Sequence, residues 1–246
     1  MMQDKRPTEY TAALALPEGR GLTCLVGGGG KTSLLYRLGA EYAARGRAAV
    51  VTTTTRIRQP LPAEATLLEE DAFPQLAERI RPGAVWCVCR RGADGKLHFP
   101  GRPILERLLD ISGRVVAEAD GSRGLPCKAP DSHEPCLPPE TDAVVAVAGL
   151  TALGRPLREI CFRWELACPL LGVEPDALLT PALLASLLTD ERGQFKHVGS
   201  AARYRVFLNQ ADDARLLALG RETAELVQRA LPGCRVVVGA LRAPTP

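Results

Sequence analysis

Short apolar runs alternate along the chain with longer segments in which apolar residues recur at helical spacing. The first run, LTCLVG at 22–27, is followed by helical spacing from Thr32 to about Arg45. Further apolar runs predict strands at 47–53, 84–90, 114–120, 142–150, 204–212 and 235–241, and a second long helix at 213–230. Because the runs are apolar at successive positions, we expect both faces of each strand to be covered.

The alternation of strand and helix predicts an α/β fold: a three-layer, mainly parallel sheet with helices on both faces. One such domain is predicted over residues 1–246. The segment CVCRRGADGKLHFPG predicts a local hairpin with its turn at Asp94-Gly95. Residues 155–200 contain no clear strand and predict a small helical insertion, with Pro175 near the start of its helix.

The charge and the apolar runs of the chain limit which classes of binding partner we expect. A net charge of +3, with Lys and Arg dispersed along the chain, does not favour nucleic acid and suits a small anionic ligand. No apolar run is long enough to span a bilayer, and Pro17 interrupts the short apolar piece near the N-terminus. We therefore expect a cytoplasmic protein with no nucleic-acid or membrane partner.

The eight cysteines form no CxxC pair and match no zinc-binding spacing. Most are expected to act as small buried hydrophobes. Cys127 and Cys136 differ because they flank a polar loop, and they would be reactive thiols only if exposed.

The stretch LVGGGGKTS joins the first strand to the first helix. We expect the amides of its glycines to point at phosphate oxygens, aided by the positive end of the helix dipole. Lys31 would reach the outer phosphates, and the Thr32 hydroxyl would bind Mg²⁺. The predicted nucleotide-binding set is Gly27, Gly28, Gly29, Gly30, Lys31, Thr32 and Ser33.

This loop departs from the standard pattern G-x-x-x-x-G-K-[ST], because Leu25 stands where the first glycine would be. Read from Gly27 it is two residues shorter, and it resembles the loop of Mur-type ligases, which also bind ATP. The alternative is a glycine-rich turn before an ordinary helix. Lys31 is expected to face solvent, so that Lys31→Ala would remove most of the affinity for the triphosphate and leave the fold intact.

Two acids, Glu118 and Asp120, close the predicted strand at 114–120. Ligands of open α/β sheets bind at such strand ends. We expect the two acids to face opposite sides, with Asp120 holding Mg²⁺ opposite Thr32 and acting with Lys31 in catalysis. The Gly121 amide would touch a terminal phosphate. The alternative is a solvated strand end without function.

The segment FLNQAD at 207–212 resembles the [NT]-K-x-D signature that reads purine bases. Asn209 would brace the loop and Asp212 would accept hydrogen bonds from the base. Gln210 replaces the usual Lys, so the segment does not decide between ATP and GTP as the bound nucleotide. An ordinary strand-to-helix turn, capped by Asp212 or Asp213, is the alternative.

Two polar stretches are candidates for a second substrate. VTTTTRI at 51–57 offers Thr54 and Arg56, although β-propensity alone also explains threonines in a strand. The long loop at 121–139 offers Arg123, Lys128 and His133, and loops of this length in compact domains are usually functional or disordered. His133 would be a general acid/base or metal ligand, or a surface histidine.

The chain resembles the YqeC family over most of its length, from about Leu22 to Val238. The resemblance is carried, in order, by VGGGGKTS, VVTTTTRI, VAEADGSRGLPCKAPDSHEP, VAVAGLTALGRPL, QFKHV and FLNQAD. It implies a P-loop NTPase-like accessory protein, working with Mg²⁺ and ATP or GTP. The implied partners are selenium-dependent molybdenum hydroxylases or their cofactor-loading proteins.

The sequence departs from the family at two places. The family often has NKAD at 209–212, and it often has an aliphatic residue where Cys127 and Cys136 stand. The leading hypothesis is a Mg²⁺-dependent protein that hydrolyses or transfers the terminal phosphoryl group. The alternatives are a kinase or ligase acting on a small acid or a cofactor precursor, and a non-catalytic nucleotide-gated scaffold.

Overall fold

The computed structural model describes residues 9–241, which form one central sheet with helices on both faces. The strands are β1 Gly21–Gly27, β2 Ala49–Thr53, β3 Arg56–Ile57, β4 Thr66–Leu68, β5 Val85–Val88, β6 Arg90–Arg91, β7 Leu97–His98, β8 Arg114–Glu118, β9 Cys127–Lys128, β10 Thr141–Gly149, β11 Cys161–Phe162, β12 Tyr204–Asn209 and β13 Arg235–Val238. The α-helices are α1 Tyr10–Ala13, α2 Lys31–Ala44, α3 Leu76–Arg79, α4 Arg102–Ser112, α5 Leu157–Ile160, α6 Trp164–Leu171, α7 Pro181–Thr189 and α8 Ala214–Ala230.

The main sheet has eight strands in the order β13-β12-β10-β1-β8-β2-β5-β4, and every neighbouring pair is parallel. The predicted α/β fold class is therefore confirmed. Strand β1 lies between β8 and β10, with Leu25 beside Glu118 and Gly27 beside Val147. The carboxyl ends of these strands meet at one edge, so the loops that follow them converge there.

The continuously apolar strands supply two separate cores. In β1, Leu22, Cys24 and Val26 belong to one core, whereas Leu25 belongs to the other. Successive side chains of a strand point to opposite faces, so a run without polar interruptions buries both. Helices α4, α7 and α8 cover the first core, and α1 and α2 cover the second. The covering of both faces was predicted correctly.

The Asp94-Gly95 hairpin is present: β6 pairs with β7 in antiparallel register, and β3 joins them in a small sheet. Strand β4 and helix α4 were not predicted. The region 155–200 contains the three helices α5, α6 and α7, and it also contains β11, which pairs with β9. Its helix α7 begins at Pro181, where the Thr180 hydroxyl caps it, and not near Pro175.

Within residues 9–241, no helix combines the length and the apolar character needed to cross a bilayer. Residues 1–8 and 242–246 lie outside the described range.

Candidate functional site

A cavity of about 1100 Å³ opens where the loops after β1, β8, β10 and β12 converge. The predicted site residues that line it are Gly29, Gly30, Lys31, Thr32, Ser33, Arg56, Arg123, His133, Asn209 and Asp212. Its wall also includes Glu118, Thr151, Phe162, Arg163 and Gln210, none of which was assigned a ligand-binding role from sequence. Five predicted residues are not on its wall: Gly27, Gly28, Thr54, Asp120 and Lys128.

The glycine loop packs against the protein's own backbone. The Gly28 amide donates to Val147 O at 2.8 Å, and the Gly29 amide donates to Leu125 O at 3.0 Å. These two amides therefore do not point at a ligand, in contrast to the expectation from sequence. A Cβ on Gly29 would lie 2.2 Å from Gly149 N, and Gly29 has a φ of +71°. Close backbone approach, rather than room for phosphate, requires glycine at this position.

Helix α2 begins without a side-chain cap, because its N-cap residue is Gly30. Among residues 9–241, the backbone N–H groups of residues 30–33 in its first turn have no hydrogen-bond acceptor, and the positive end of the helix dipole lies behind them. Asn209 holds this turn in place: its Nδ2 donates to Gly29 O at 2.7 Å, and its Oδ1 accepts from Leu241 N. Asn209 therefore ties the end of β12 to the glycine loop.

Lys31 points inward and is only 3% exposed. Its Nζ donates to Gly27 O at 2.6 Å and lies 3.3 Å from Asp120 Oδ1 and 3.6 Å from Glu118 Oε1. Burial disfavours the charged ammonium, but attraction to Asp120 and Glu118 outweighs it, and the pKa of Lys31 is raised. The expectation of a solvent-facing lysine was therefore wrong.

Glu118 and Asp120 lie on the same side of the chain, since both contact Lys31. The expectation of opposite sides was wrong, because side chains two residues apart share a face of a strand. Glu118 is at the cavity, where its Oε2 accepts a hydrogen bond of 2.8 Å from Thr32 Oγ1. Burial raises the pKa of Glu118, and the charge of Lys31 opposes that rise.

Asp120 has no solvent exposure. Both of its oxygens accept from Gly27 N, at 3.1 and 3.0 Å, and it also pairs with two lysines. The carboxylate next to the Thr32 hydroxyl is thus that of Glu118, while Asp120 fixes the end of β1 and the lysine behind it.

The pairing continues away from the glycine loop as a line of alternating charges. Lys128 Nζ lies 3.0 Å from Asp120 Oδ2 and 2.7 Å from Glu134 Oε2. Glu134 in turn pairs with Arg163. Burial acts to raise the pKa of Glu134, but its bonds to Lys128 and Arg163 prevail and lower it. Lys128 is 1% exposed and serves this buried network rather than the cavity surface.

Phe162 forms the centre of the wall contributed by the loop 121–136 and the helical insertion. The guanidinium carbons of Arg163 and Arg123 lie 4.6 and 5.0 Å from its ring centroid. Arg123, Arg163 and Gln210 all have positive φ values, of 51°, 63° and 67°, and all line the cavity. Such backbone conformations are unfavourable for residues with a side chain and concentrate at functional sites.

The remaining predicted residues divide between cavity and scaffold. Asp213, not Asp212, caps α8 by accepting from Leu216 N, which leaves the exposed Asp212 at the cavity. Thr54 donates to Cys136 O and is therefore used by the scaffold. Arg56 is exposed at the cavity, where it lies 3.7 Å from Asp94 Oδ2.

Comparison with known proteins gives the family. The family model described as YqeC protein matches residues 23–165. The chain is also 34% identical over 193 residues to "Uncharacterized protein YqeC" of Escherichia coli (strain K12), covering 76% of this chain and 74% of the relative. The chain belongs to the YqeC family. The match includes the glycine loop, both acids, the loop 121–139 and the Phe162-Arg163 pair.

The cysteines of this YqeC-family chain are mostly buried. All eight are free thiols, and seven are buried. Cys127 is 2% exposed, and burial, followed by the charges of Glu134 and Asp120, raises the pKa of the partly buried Cys136. In the part of the chain that the structure describes, no group of three His, Cys, Asp or Glu side chains is arranged to hold a metal.

Sequence reasoning missed Phe162 and Arg163 because they lie at the edge of the helical insertion, far along the chain from the loop they contact. The local sequence FRWE gives no signal for a site. Glu118 was visible in the sequence, and the period-two alternation of strands would have placed it beside Asp120.

Proposed function

We propose that this protein binds a Mg²⁺–nucleoside triphosphate at the start of α2 and hydrolyses its terminal phosphate bond. The observation that carries the proposal is the Thr32–Glu118 pair, 2.8 Å apart, beside the buried Lys31 at the uncapped end of a 14-residue helix. The amides of that helix end are suited to phosphate oxygens. Asp212, which is exposed at the cavity after β12, would contact the base of ATP or GTP.

The donor set near Thr32 fits magnesium. A hydroxyl oxygen and a carboxylate oxygen are the hard ligands that Mg²⁺ prefers, and the ion usually completes its shell with water and phosphate oxygens. Thr32 and Glu118 would hold the ion; Asp120, which is fully buried, would act on it only through its neighbours. When bound, the metal would neutralise charge on the triphosphate.

Lys31 has to exchange partners for this function. Its Nζ now donates to Gly27 O, so a terminal phosphate would have to replace that carbonyl and draw the ammonium away from Glu118. Asp120 would keep Lys128 as a counter-ion when Lys31 moves. Preorganised cations and amides aimed at the phosphoryl oxygens are the main source of catalysis in phosphoryl transfer.

We infer that the hydrolysis serves maturation of selenium-dependent molybdenum hydroxylases or insertion of their cofactor. Support for this client is the resemblance of the sequence blocks to the YqeC family. Phosphoryl transfer to a cofactor precursor, and nucleotide-gated binding without turnover, are the competing functions. They differ in the fate of the terminal phosphate, which makes them separable in one assay.

Titration calorimetry with ATP and GTP, with and without Mg²⁺, tests the binding step. Thr32→Ala should weaken Mg²⁺-dependent binding by about tenfold, whereas Thr66→Ala, on the edge strand β4, should leave it unchanged. Equal affinities with and without Mg²⁺ in the wild-type protein would overturn the metal assignment. Absence of any nucleotide binding would overturn the proposed function.

Single-turnover assays with terminally labelled nucleotide, with and without a purified hydroxylase, test the reaction. Release of labelled inorganic phosphate supports hydrolysis. Label on a small molecule supports the kinase or ligase, and binding without turnover in both conditions supports the scaffold.

A further inference from the structure

Arg123 differs from most of the cations that line the cavity. Lys31 pairs with Glu118 and Asp120, and Arg163 pairs with Glu134. Arg58 pairs with Glu64, and Arg56 lies 3.7 Å from Asp94. Across residues 9–241, Arg123 forms no ion pair with a carboxylate; its guanidinium lies over the Phe162 ring instead. The positive charge that a ligand meets without first displacing an acid is therefore that of Arg123 and of Lys96.

Of these two, Arg123 is the one held in place. Lys96 follows Gly95 in the turn of the exposed hairpin. Arg123 sits in a short turn in which Leu125 N donates to Ser122 O, with its own backbone at a φ of 51°. Stacking on the aromatic ring occupies one face of the guanidinium and leaves its N–H edge available.

The aromatic ring beneath this guanidinium belongs to a paired strand. Phe162 belongs to β11, which pairs with β9 in register, and the ring also contacts Arg163 and the buried Lys128. An arginine whose orientation is fixed before binding loses less conformational freedom when it pairs with an oxyanion. Its planar fork matches two oxygens of a phosphate at once.

We propose that Arg123 binds the oxygens of a phosphate group in the cavity that it lines together with the start of α2. The proposal rests on the proposed function and extends it, because it assigns an anion-binding role to a residue outside the glycine loop. The phosphate has two chemical sources: the terminal phosphate of the nucleotide, or the phosphate of a separate molecule bound beside a diphosphate.

The test is calorimetric titration of four proteins: wild type, Arg123→Ala, Arg123→Lys and the control Arg192→Ala, whose side chain is 70% exposed and pairs with Asp190. Each is titrated with Mg²⁺–ATP, with Mg²⁺–ADP, and with inorganic phosphate after saturation with ADP. Arg123 is exposed, so its variants are expected to fold, and thermal melts verify this.

If the terminal phosphate is the ligand, Arg123→Ala weakens ATP binding about tenfold and ADP binding less than about twofold, with Arg123→Lys intermediate. If a separate phosphate is the ligand, ATP and ADP affinities are unchanged and binding of inorganic phosphate to the ADP-loaded protein is lost. Unchanged affinity of Arg123→Ala in all three titrations overturns the proposal while leaving nucleotide binding intact.

A wild-type protein that binds neither nucleotide refutes the proposed function instead. In that case inorganic phosphate is titrated into the chain alone. Binding that disappears in Arg123→Ala and persists in Arg192→Ala still supports the anion site, and absence of binding overturns it.

Discussion

Lys31 Nζ lies 3.3 Å from Asp120 Oδ1, and neither side chain has appreciable access to solvent. Asp120 also pairs with Lys128, so one buried carboxylate holds two lysines, one at the start of α2 and one in β9. The lysine of the glycine loop is therefore part of the scaffold in this state. Any ligand that recruits it must compete with two acids and a backbone carbonyl.

Lys31→Ala is expected to destabilise the protein, by about 3 kcal/mol or more, because it leaves buried Glu118 and Asp120 without one of their counter-ions. Chemical denaturation at pH 7 measures the change in free energy of unfolding. Lys96→Ala, in the exposed hairpin, is the control and should change it by less than about 0.5 kcal/mol. Equal stability of the two variants would contradict the buried arrangement of Lys31.

Gly29→Ala should be far more damaging than Gly46→Ala. Both glycines have positive φ, of +71° and +73°, so both substitutions incur backbone strain of about 1–2 kcal/mol. Only at Gly29 does the new methyl group meet backbone, 2.2 Å from Gly149 N, whereas Gly46 has open space. Thermal and chemical denaturation of the two variants compares them directly. Similar losses of stability would show that the loop does not need this close approach.

Glu134 should contribute to the free energy of unfolding at neutral pH, and this contribution should be lost in acid. Its pKa is lowered in the folded protein, so its contribution is present above the unfolded value of about 4.5 and is lost as pH falls through the folded pKa. The difference in unfolding free energy between wild type and Glu134→Gln should therefore be largest near pH 7 and shrink below about pH 4.5. Denaturation curves from pH 7 down to about pH 3 measure it.

The matched control for that series is Glu191→Gln, since Glu191 is exposed. Its difference from wild type should stay small across the same range. If the difference in unfolding free energy between wild type and Glu134→Gln does not vary with pH, Glu134 is not paired as a carboxylate with Lys128 and Arg163.

Thiol reagents should modify one cysteine per native chain, Cys136, and do so slowly near neutral pH, because burial and nearby acids raise its pKa. All eight should react after unfolding. Titration with a chromogenic disulfide reagent counts the thiols, and Cys136→Ser should remove the native signal. Rapid labelling of Cys127 in the native protein would contradict its burial.

The site was predictable in part. The glycine loop, Lys31, Thr32 and Asn209 could be recognised because residues close in sequence formed a known local pattern. The residues that contact the glycine loop from elsewhere in the chain could not be recognised from the sequence. Val147, Leu125 and Gly149 approach the loop from distant segments, and they decide where its amides point. The same holds for Phe162, whose neighbours Arg123 and Lys128 lie more than thirty residues earlier.

The sequence by itself determined the parallel α/β sheet, since uninterrupted apolar strands alternating with amphipathic helices can bury both strand faces only in that arrangement. It also determined that a glycine loop would join β1 to α2. Only the tertiary structure decided that Lys31 turns inward, that Glu118 rather than Asp120 meets Thr32, and that Arg123 rests on Phe162. The reason is physical: strand periodicity is local, whereas the pairing of buried charges depends on which loops the sheet order brings together.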